Sequence, residues 1–444
     1  MDDPSSRTLL RDRNFLRLWW GQLVSMAGDG LTYLALAGLL LQHSREHSGA
    51  SFAALMAVLA NVMVAPVLLL APFTGAWIDR LDLKRVLVAS DAVRAAIVLA
   101  IPWVYGFGGG TPPVFALVFL LFAVNVAFLP AKSALVPEIV PAGRLLAANS
   151  LLALAGVAAI GAGALAGGLI VDRWGWAVAM RIDAVTYLVS VVMLSSISYQ
   201  PVVRHARRVA VTVRGYASDV REGWMLLRRN GAVRVGLMAL AAVWFTGGVL
   251  HVAGNAHVQA AAATPGMRRL GALLFAIGVG SALGTWWVNT HGRALPRGRV
   301  LGAALFLAGL ALVPFGASGQ FWVFVVAACV AGMFAAPVLV LSETVLQDGT
   351  AVEHRARVFS ARDFLMRATL LASVTFTAWA TSRVGTGGAL VIGGVVMAVA
   401  GGVVLLRERR RVVEQPSGVV APDGVLARQA PGHVAAGWAS DTRD

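Results

Sequence analysis

Asp29 is an acidic residue in the middle of an apolar stretch, residues 15–41. It lies 14 residues beyond Phe15, which is roughly 20 Å along a helix. A carboxylate at that depth of a bilayer costs about 2.5–3.5 kcal/mol, so it should face a cavity or carry a proton. The position therefore predicts proton coupling or contact with a substrate. The alternative is a packing residue that hydrogen-bonds a neighbouring helix.

A short charged turn separates two further apolar stretches, residues 62–77 and 86–104. Fixed charges directly beside segments of this length indicate a turn at a membrane surface. Two opposite charges in the next stretch stand at i and i+3, where they can pair with each other and with the turn. Their alternative is snorkelling to the interface. We expect these charges to form an ion-pair network that holds a gate closed at the inner side of the membrane. Its residues are Gly75, Asp79, Arg80, Lys84, Arg85, Asp91 and Arg94.

Other polar residues in apolar stretches are weaker candidates. Glu343 follows a proline in a later stretch and is either a second protonatable site or an interfacial anchor. His251, Asn255 and His257 are expected to line a cavity. Because residues at i and i+6 do not share one helix face, the two histidines do not predict a metal site.

Enzyme chemistry has no support in the sequence. There is no Gly-x-x-x-x-Gly-Lys-Ser/Thr loop, so ATP-driven transport is not expected. No cysteine and histidine ligand set, nucleophile elbow or pair of catalytic carboxylates occurs in the sequence. We therefore expect no enzyme activity, no cofactor and no metal.

The composition requires lipid as the solvent. Of the 444 residues, 58% are hydrophobic and 13% are charged. Soluble proteins carry about 25% charged residues, so a water-soluble core could not bury this excess of apolar side chains. The net charge of +15 comes from arginines in short connections, which favours retention on the cytoplasmic side over nucleic-acid binding.

Apolar stretches long enough to cross about 30 Å of hydrocarbon recur along the chain. They predict twelve spans, at about residues 15–42, 50–77, 86–107, 112–131, 146–171, 177–198, 232–259, 268–290, 299–317, 320–345, 364–382 and 386–406. Alternate connections are rich in arginine, which places both termini in the cytoplasm of a multi-pass protein of the plasma membrane.

These spans define five regions. We expect a cytoplasmic N-terminus (1–14), a six-helix bundle (15–198), a cytoplasmic central loop with an amphipathic helix (199–231), a second six-helix bundle (232–406) and a disordered cytoplasmic tail (407–444).

The charged turn resembles the loop between spans two and three of the major facilitator superfamily of secondary transporters. That loop reads Gly-x-x-x-Asp-Arg-x-Gly-Arg-Arg/Lys, and Asp82 and Leu83 depart from it here. With these departures, the turn is close to the Asp-Arg-x-Asp-Arg-Arg form of the loop, which is seen in the branch that includes the enterobactin exporter and macrolide-efflux-like permeases. The resemblance implies an all-α membrane fold of twelve transmembrane helices in two pseudo-symmetric six-helix bundles. Relatives carry Ile-Asp-Ala at residues 182–184, which indicates a structural role for Asp183.

The fifth span resembles a glycine motif of the exporters. Gly163, Gly167 and Gly168 match it, and Ala164 replaces its proline. Such spacing permits either a pliable, rocking interface or ordinary packing of small residues.

Together these features predict proton-coupled export of a small amphipathic compound by alternating access. The expected partners are the substrate, protons and the lipid bilayer, with no nucleic acid, and the protein is expected to be a monomer. The alternatives are a proton-independent uniporter or importer, and a non-transporting membrane sensor or lipid-handling protein. A polar cavity between the halves would argue against the second alternative.

Overall fold

The computed structural model describes residues 9–47, 51–78, 81–198, 215, 218, 220–222, 224–225, 231–264, 266–291, 295–348, 350 and 355–414. The side chains of 71–78, 109, 142, 146, 232, 347–348, 355–357 and 409–414 are outside that description. The amphipathic helix expected in the central loop therefore falls largely outside the described residues.

The N-terminal half contains six described helices: α1 (Arg13–Glu46), α2 (Phe52–Ile78), α3 (Leu83–Val104), α4 (Thr111–Ile139), α5 (Leu145–Trp174) and α6 (Trp176–Ser195). A π-helical turn, Tyr105–Gly109, follows α3, and a short 3-10 turn, Ala142–Arg144, precedes α5.

The C-terminal half begins with α7, which runs through Gly231–Val249, a π-helical turn at Leu250–Gly254 and Asn255–Ala260. It continues with α8 (Met267–His291), α9 (Arg297–Ala317) and α10 (Phe321–Asp348). The last stretch, Arg355–Glu414, breaks at Gly385, whose φ of 75° is left-handed. We call its two parts α11 (355–384) and α12 (386–414).

The expected all-α membrane fold is confirmed. Eleven described helices are long and apolar enough to cross a membrane, and one of them, Val358–Glu408, contains the break and so accounts for two crossings. Twelve spans in six-plus-six order result. Helices nevertheless extend beyond the apolar stretches: α4 continues to Ile139 and α12 to Glu414. Polar helix-forming residues can prolong a helix past the hydrocarbon. Residues 407–414 are therefore helical rather than part of the expected tail.

Each half has its own packing scheme. In the N-terminal half, α1 packs against α5 and α6, and α4 packs against α2 and α3. In the C-terminal half, α7 packs against α11, α8 against α10, and α9 against α10 and α12. The halves meet along a seam in which α5 contacts α8, and α2 contacts α7 and α11.

The seam is tight at one end of the bundle. Three alanines of α2 pack there with apolar residues of α7 and α11. The cluster is Ala53, Ala57, Ala60, Val252, Ala256 and Val374. We call this end, where α1 finishes and α2 begins, the closed end. At the opposite end, where α1 begins, the apolar clusters of the described residues each lie within one half. We call it the terminal end.

Candidate functional site

Asp29 occupies the centre of the N-terminal half. Its carboxylate accepts a hydrogen bond of 2.5 Å from the Tyr187 hydroxyl of α6. The Arg94 Nη1 atom of α3 is 3.9 Å from the same oxygen, Oδ1. The Asp29 side chain is 41% exposed, whereas that of Arg94 is 4% exposed. The acid therefore faces open space, while its basic neighbour is enclosed by protein.

Arg94 is held by aromatic rings and a second acid. Its guanidinium carbon is 4.4 Å from the ring centroid of Phe128 and 4.7 Å from that of Tyr187. It also forms an ion pair with Asp91, which is fully buried one turn earlier on α3. Ring faces and a paired carboxylate compensate a desolvated cation, so this arginine remains charged within the bundle.

A second carboxylate also joins α1 and α6, but here the acid lies on α6 and the donating hydroxyl on α1. Asp183 of α6 accepts a hydrogen bond of 2.5 Å from the Thr32 hydroxyl of α1, and Thr186 Oγ1 lies 2.8 Å from its Oδ1. A Cβ on Gly28 would overlap the Asp183 carboxylate, so this glycine allows the close approach. Each helix thus supplies one acid and one hydroxyl to the other.

A polar contact crosses from this site to the C-terminal half. The Tyr33 hydroxyl lies 3.2 Å from His251 Nδ1 and accepts a hydrogen bond of 2.9 Å from Asn255 Nδ2. The π-helical turn of α7 positions both partners toward α1. His257, on the other hand, bonds Thr386 and the Ser318 carbonyl. Of the three polar residues expected to line a cavity, His251 and Asn255 therefore face the centre of the protein and His257 does not.

A cavity of about 360 Å³ lies at this junction. Its lining comes from α1 to α8, and so from both halves. The polar side chains of the lining are Asp29, Thr32, Tyr33, Arg94, Asn125, Tyr187 and His251. The remaining surface is apolar and includes Met63, Phe122, Ile160 and Leu274. A second cavity of about 160 Å³ shares Tyr33, His251 and Leu274 and extends between α7 and α8.

At the closed end, Asp172 of α5 caps a helix of the other half. Its carboxylate accepts hydrogen bonds from the backbone amides of Met267, at 2.6 Å, and Arg268, at 2.9 Å. These are the first amides of α8, where the helix dipole favours a negative charge. The contact joins the two halves beside the apolar seam.

The three α5 glycines serve two interfaces. A Cβ on Gly163 would overlap the Ala27 carbonyl of α1, and one on Gly167 would press on Leu31. A Cβ on Gly168 would instead lie 2.5 Å from the Met267 carbonyl of α8. Gly163 and Gly167 therefore pack within the N-terminal half, whereas Gly168 packs across the seam.

The structure separates the members of the predicted gate. Asp79 and Arg80 lie outside the described residues, and of Gly75 only its place in α2 is described. Lys84 donates a hydrogen bond of 2.8 Å to the Ile197 carbonyl. Arg85 pairs with Asp82, whose carboxylate also caps α3. Closure of a gate by these residues stays a prediction.

Asp91 and Arg94 have other neighbours than the turn. The described contacts of Arg94 are with Asp91, Asp29 and two aromatic rings, so the pair belongs to the central site. Glu343 forms an ion pair with Arg362 of α11 and is not part of the cavity lining. This ion pair joins α10 to α11, and a role of Glu343 as a second protonatable site or as an interfacial anchor stays a prediction.

Sequence reasoning missed Thr32, Tyr33 and Tyr187. A signal was available, because Thr32 stands three residues after Asp29, and Tyr187 four residues after Asp183. Residues at these spacings share a helix face. Which helix each face meets is a property of the packed bundle and cannot be read from one helix.

The fold and this site define a membrane transporter whose two six-helix halves enclose a mostly apolar cavity with a few polar side chains. Residues 18–285 match the family model of the Major Facilitator Superfamily. Because the match covers more than half of the chain, the protein belongs to the Major Facilitator Superfamily.

Similar proteins agree with that assignment. The MFS-type transporter YvqJ of Bacillus subtilis is 27% identical over 409 residues, covering 89% of this chain and 92% of YvqJ. BacE of Bacillus subtilis, named as a proposed bacilysin exporter, is 26% identical over 78% of this chain and 83% of its own. The crystal structure of a point mutant of the nucleoside transporter NupG superposes with a TM-score of 0.68 at 12% identity, covering 89% of this chain and 99% of NupG. That last likeness concerns the fold alone.

Proposed function

We propose that this protein exports a small amphipathic compound in exchange for protons, by alternating access of the central cavity. Asp29 carries the proposal, since it is a carboxylate near the middle of a membrane-spanning helix and 41% exposed. A charged side chain at that depth of a membrane is energetically costly, and such residues are usually functional. Such a carboxylate can take part in proton coupling or bind a polar or cationic group of the substrate.

The cavity supports the choice of substrate class. Its volume of about 360 Å³ falls in the range of small-molecule sites, about 300–1,000 Å³. A mostly apolar lining with a few polar side chains fits a compound with an apolar body and a polar group. The cavity lies between the two halves, where substrate sites of secondary transporters lie, which favours transport over a purely structural bundle.

The seam supports alternating access and a direction. The halves are joined at the closed end by the alanine cluster and by Asp172. If both termini are cytoplasmic, as the arginine distribution indicates, the closed end is the outer end. The cavity would then be poised to take up cargo from the cytoplasm. The proposed exporter role of BacE and the resemblance of the charged turn to the enterobactin-exporter and macrolide-efflux branch favour the same direction.

Inside-out vesicles containing the protein test the proposal. A panel of fluorescent amphipathic dyes is offered outside the vesicles while the interior is held acidic. We expect dye accumulation that stops when an ionophore collapses the pH gradient, and that Asp29→Asn abolishes. Asp12→Asn is the matched control, because the side-chain contact described for Asp12 is the cap of α1. Accumulation of equal rate without a gradient would contradict proton coupling. Full gradient-driven transport by Asp29→Asn at normal expression would make Asp29 structural.

A further inference from the structure

Asp183 is a fully buried carboxylate in a membrane-spanning helix, and the proposed function does not yet use it. Its described hydrogen-bond partners are hydroxyl groups, those of Thr32 and Thr186. The ion pairs described for Arg94, the nearest cation on α3, are with other carboxylates. Asp183 therefore has hydrogen-bond donors around it and no ion pair within the described part of the chain.

The hydrogen atoms around Asp183 can be counted. Thr186 Oγ1 lies 2.8 Å from both the Asp183 backbone oxygen and its Oδ1 atom, and Thr32 Oγ1 lies 2.5 Å from Oδ2. Two hydroxyls supply two hydrogens for these three contacts. A proton on Oδ1, donated to Thr186, gives each contact its own hydrogen. The geometry thus fits a neutral carboxylic acid.

The charges around Asp183 lead to the same state. Asp29 from α1 and Arg94 from α3 are the charged groups that face it, and α5, the third helix against α6, contributes none among the described residues. Among the described residues, the surrounding site holds three acids, Asp29, Asp91 and Asp183. The cations described there are Arg94 and the Lys132 side chain, which interacts with Arg94 and Asp29. Three negative charges against two positive ones leave room for one bound proton.

Two buried polar atoms of this site lack a hydrogen-bond partner among the described residues. Asp91 Oδ2 and Ser190 Oγ face each other, both fully buried, without a hydrogen bond of normal geometry in the described structure. Such groups are costly when left unpaired. A proton bound in this cluster could supply a hydrogen for such a contact.

We propose that Asp183 holds the exchanged proton, while Asp29 meets the substrate. This inference rests on the proposed proton coupling and names its residue. Uptake converts the Asp183 carboxylate to the acid, and release reverses it, with no other bond made or broken.

Infrared spectroscopy of the purified full-length protein tests the assignment without any substrate. A protonated carboxyl gives a C=O band that a carboxylate lacks, and we expect one at neutral pH. Asp183→Asn should remove the band, because an asparagine amide replaces the neutral acid with the same hydrogen-bond pattern. Asp29→Asn and the surface control Glu46→Gln should leave it. A band that survives in Asp183→Asn, or disappears in Asp29→Asn, would overturn the proposal.

Two further measurements keep the test decisive. If Asp183→Asn does not fold, Thr32→Val is measured instead. Loss of the hydrogen bond from Thr32 to Asp183 should move the carboxyl band to higher frequency. A band that does not move would contradict its assignment to Asp183. In dye-loaded vesicles, Asp183→Asn should lose acceleration by the pH gradient but keep downhill dye movement. If the rate of wild-type dye movement does not depend on the pH gradient while the carboxyl band responds to the substitutions as expected, proton coupling is refuted. The assignment of the protonated carboxyl to Asp183 then still stands.

Discussion

The Asp172 cap on α8 should bias the transporter toward the state that is closed at this end. Asp172→Asn removes the negative charge and leaves one oxygen where two now accept backbone hydrogens at 2.6 Å and 2.9 Å. The apolar seam beside it is untouched. We therefore expect a shift in conformational populations without a change of fold.

The size of the shift follows from the chemistry of helix caps. Loss of a capping side chain costs about 0.5–2 kcal/mol, and a charge at a helix N-terminus contributes about 0.3–1 kcal/mol. Because asparagine can still accept one bond, the change should be about 1–2 kcal/mol, which is a factor of roughly 5–30 in the ratio of the two states. We expect the state that is closed at this end to lose this energy, because there the Asp172 carboxylate accepts hydrogen bonds from the first amides of α8.

Cysteine labelling measures that ratio. Ala57→Cys places a thiol in the buried alanine cluster, in a Cys329→Ser background that removes the native thiol. A polar maleimide should label it roughly 5–30-fold faster in Asp172→Asn, in nanodiscs that expose both faces. Asp12→Asn, a cap within one half, should have no effect. Equal labelling rates with and without Asp172→Asn, at unchanged thermal stability, would refute the capping argument.

Three other changes test the site. Tyr33→Phe removes the hydroxyl that joins α1 to α7 and should lower stability by about 0.6–2 kcal/mol, seen as a lower melting temperature in detergent. Gly168→Ala should reduce dye export severalfold, because the added Cβ would overlap the backbone of α8. Gly161→Ala is the control and should leave export unchanged, because its Cβ would lie 3.6 Å from an aromatic ring. Arg94→Lys keeps the charge but loses the contacts of the planar guanidinium with two aromatic rings. We therefore expect the free energy of unfolding to fall by about 2 kcal/mol, measured by thermal unfolding.

The fold could be predicted because membrane spans are local features. A stretch such as 112–131 is identified by its length and hydropathy alone, and the two halves follow from counting. Helix ends were less predictable, because α4 continues to Ile139, where hydropathy no longer constrains the helix. Asp82 shows the limit of motif reading: it departs from the family pattern, yet it caps α3 through the amides of Lys84 and Arg85.

The site was predicted only where a single residue was anomalous by itself. Asp29 stands out as a charge within an apolar run, and the structure places it beside the cavity. Arg94 also stands out, but its partners depend on how α3 is rotated against α1 and α6. That rotation is set by the packing of whole helices. The sequence interpretation therefore assigned Arg94 to the neighbouring turn, and the structure places it next to Asp29.

The order of residues on α1 offers a route from proton to movement. Thr32 bonds the buried Asp183 within the N-terminal half, and the adjacent Tyr33 bonds α7 of the other half. Successive residues of a helix point about 100° apart, so one turn of α1 contacts both the proposed proton site and the seam. When Asp183 gains or loses its proton, the hydrogen bond from Thr32 changes partner or strength, and Tyr33 must follow the same backbone. Thr32→Val should therefore weaken gradient-driven dye export more than Thr375→Val, since the hydrogen bond described for Thr375 is to the Leu371 carbonyl of its own helix.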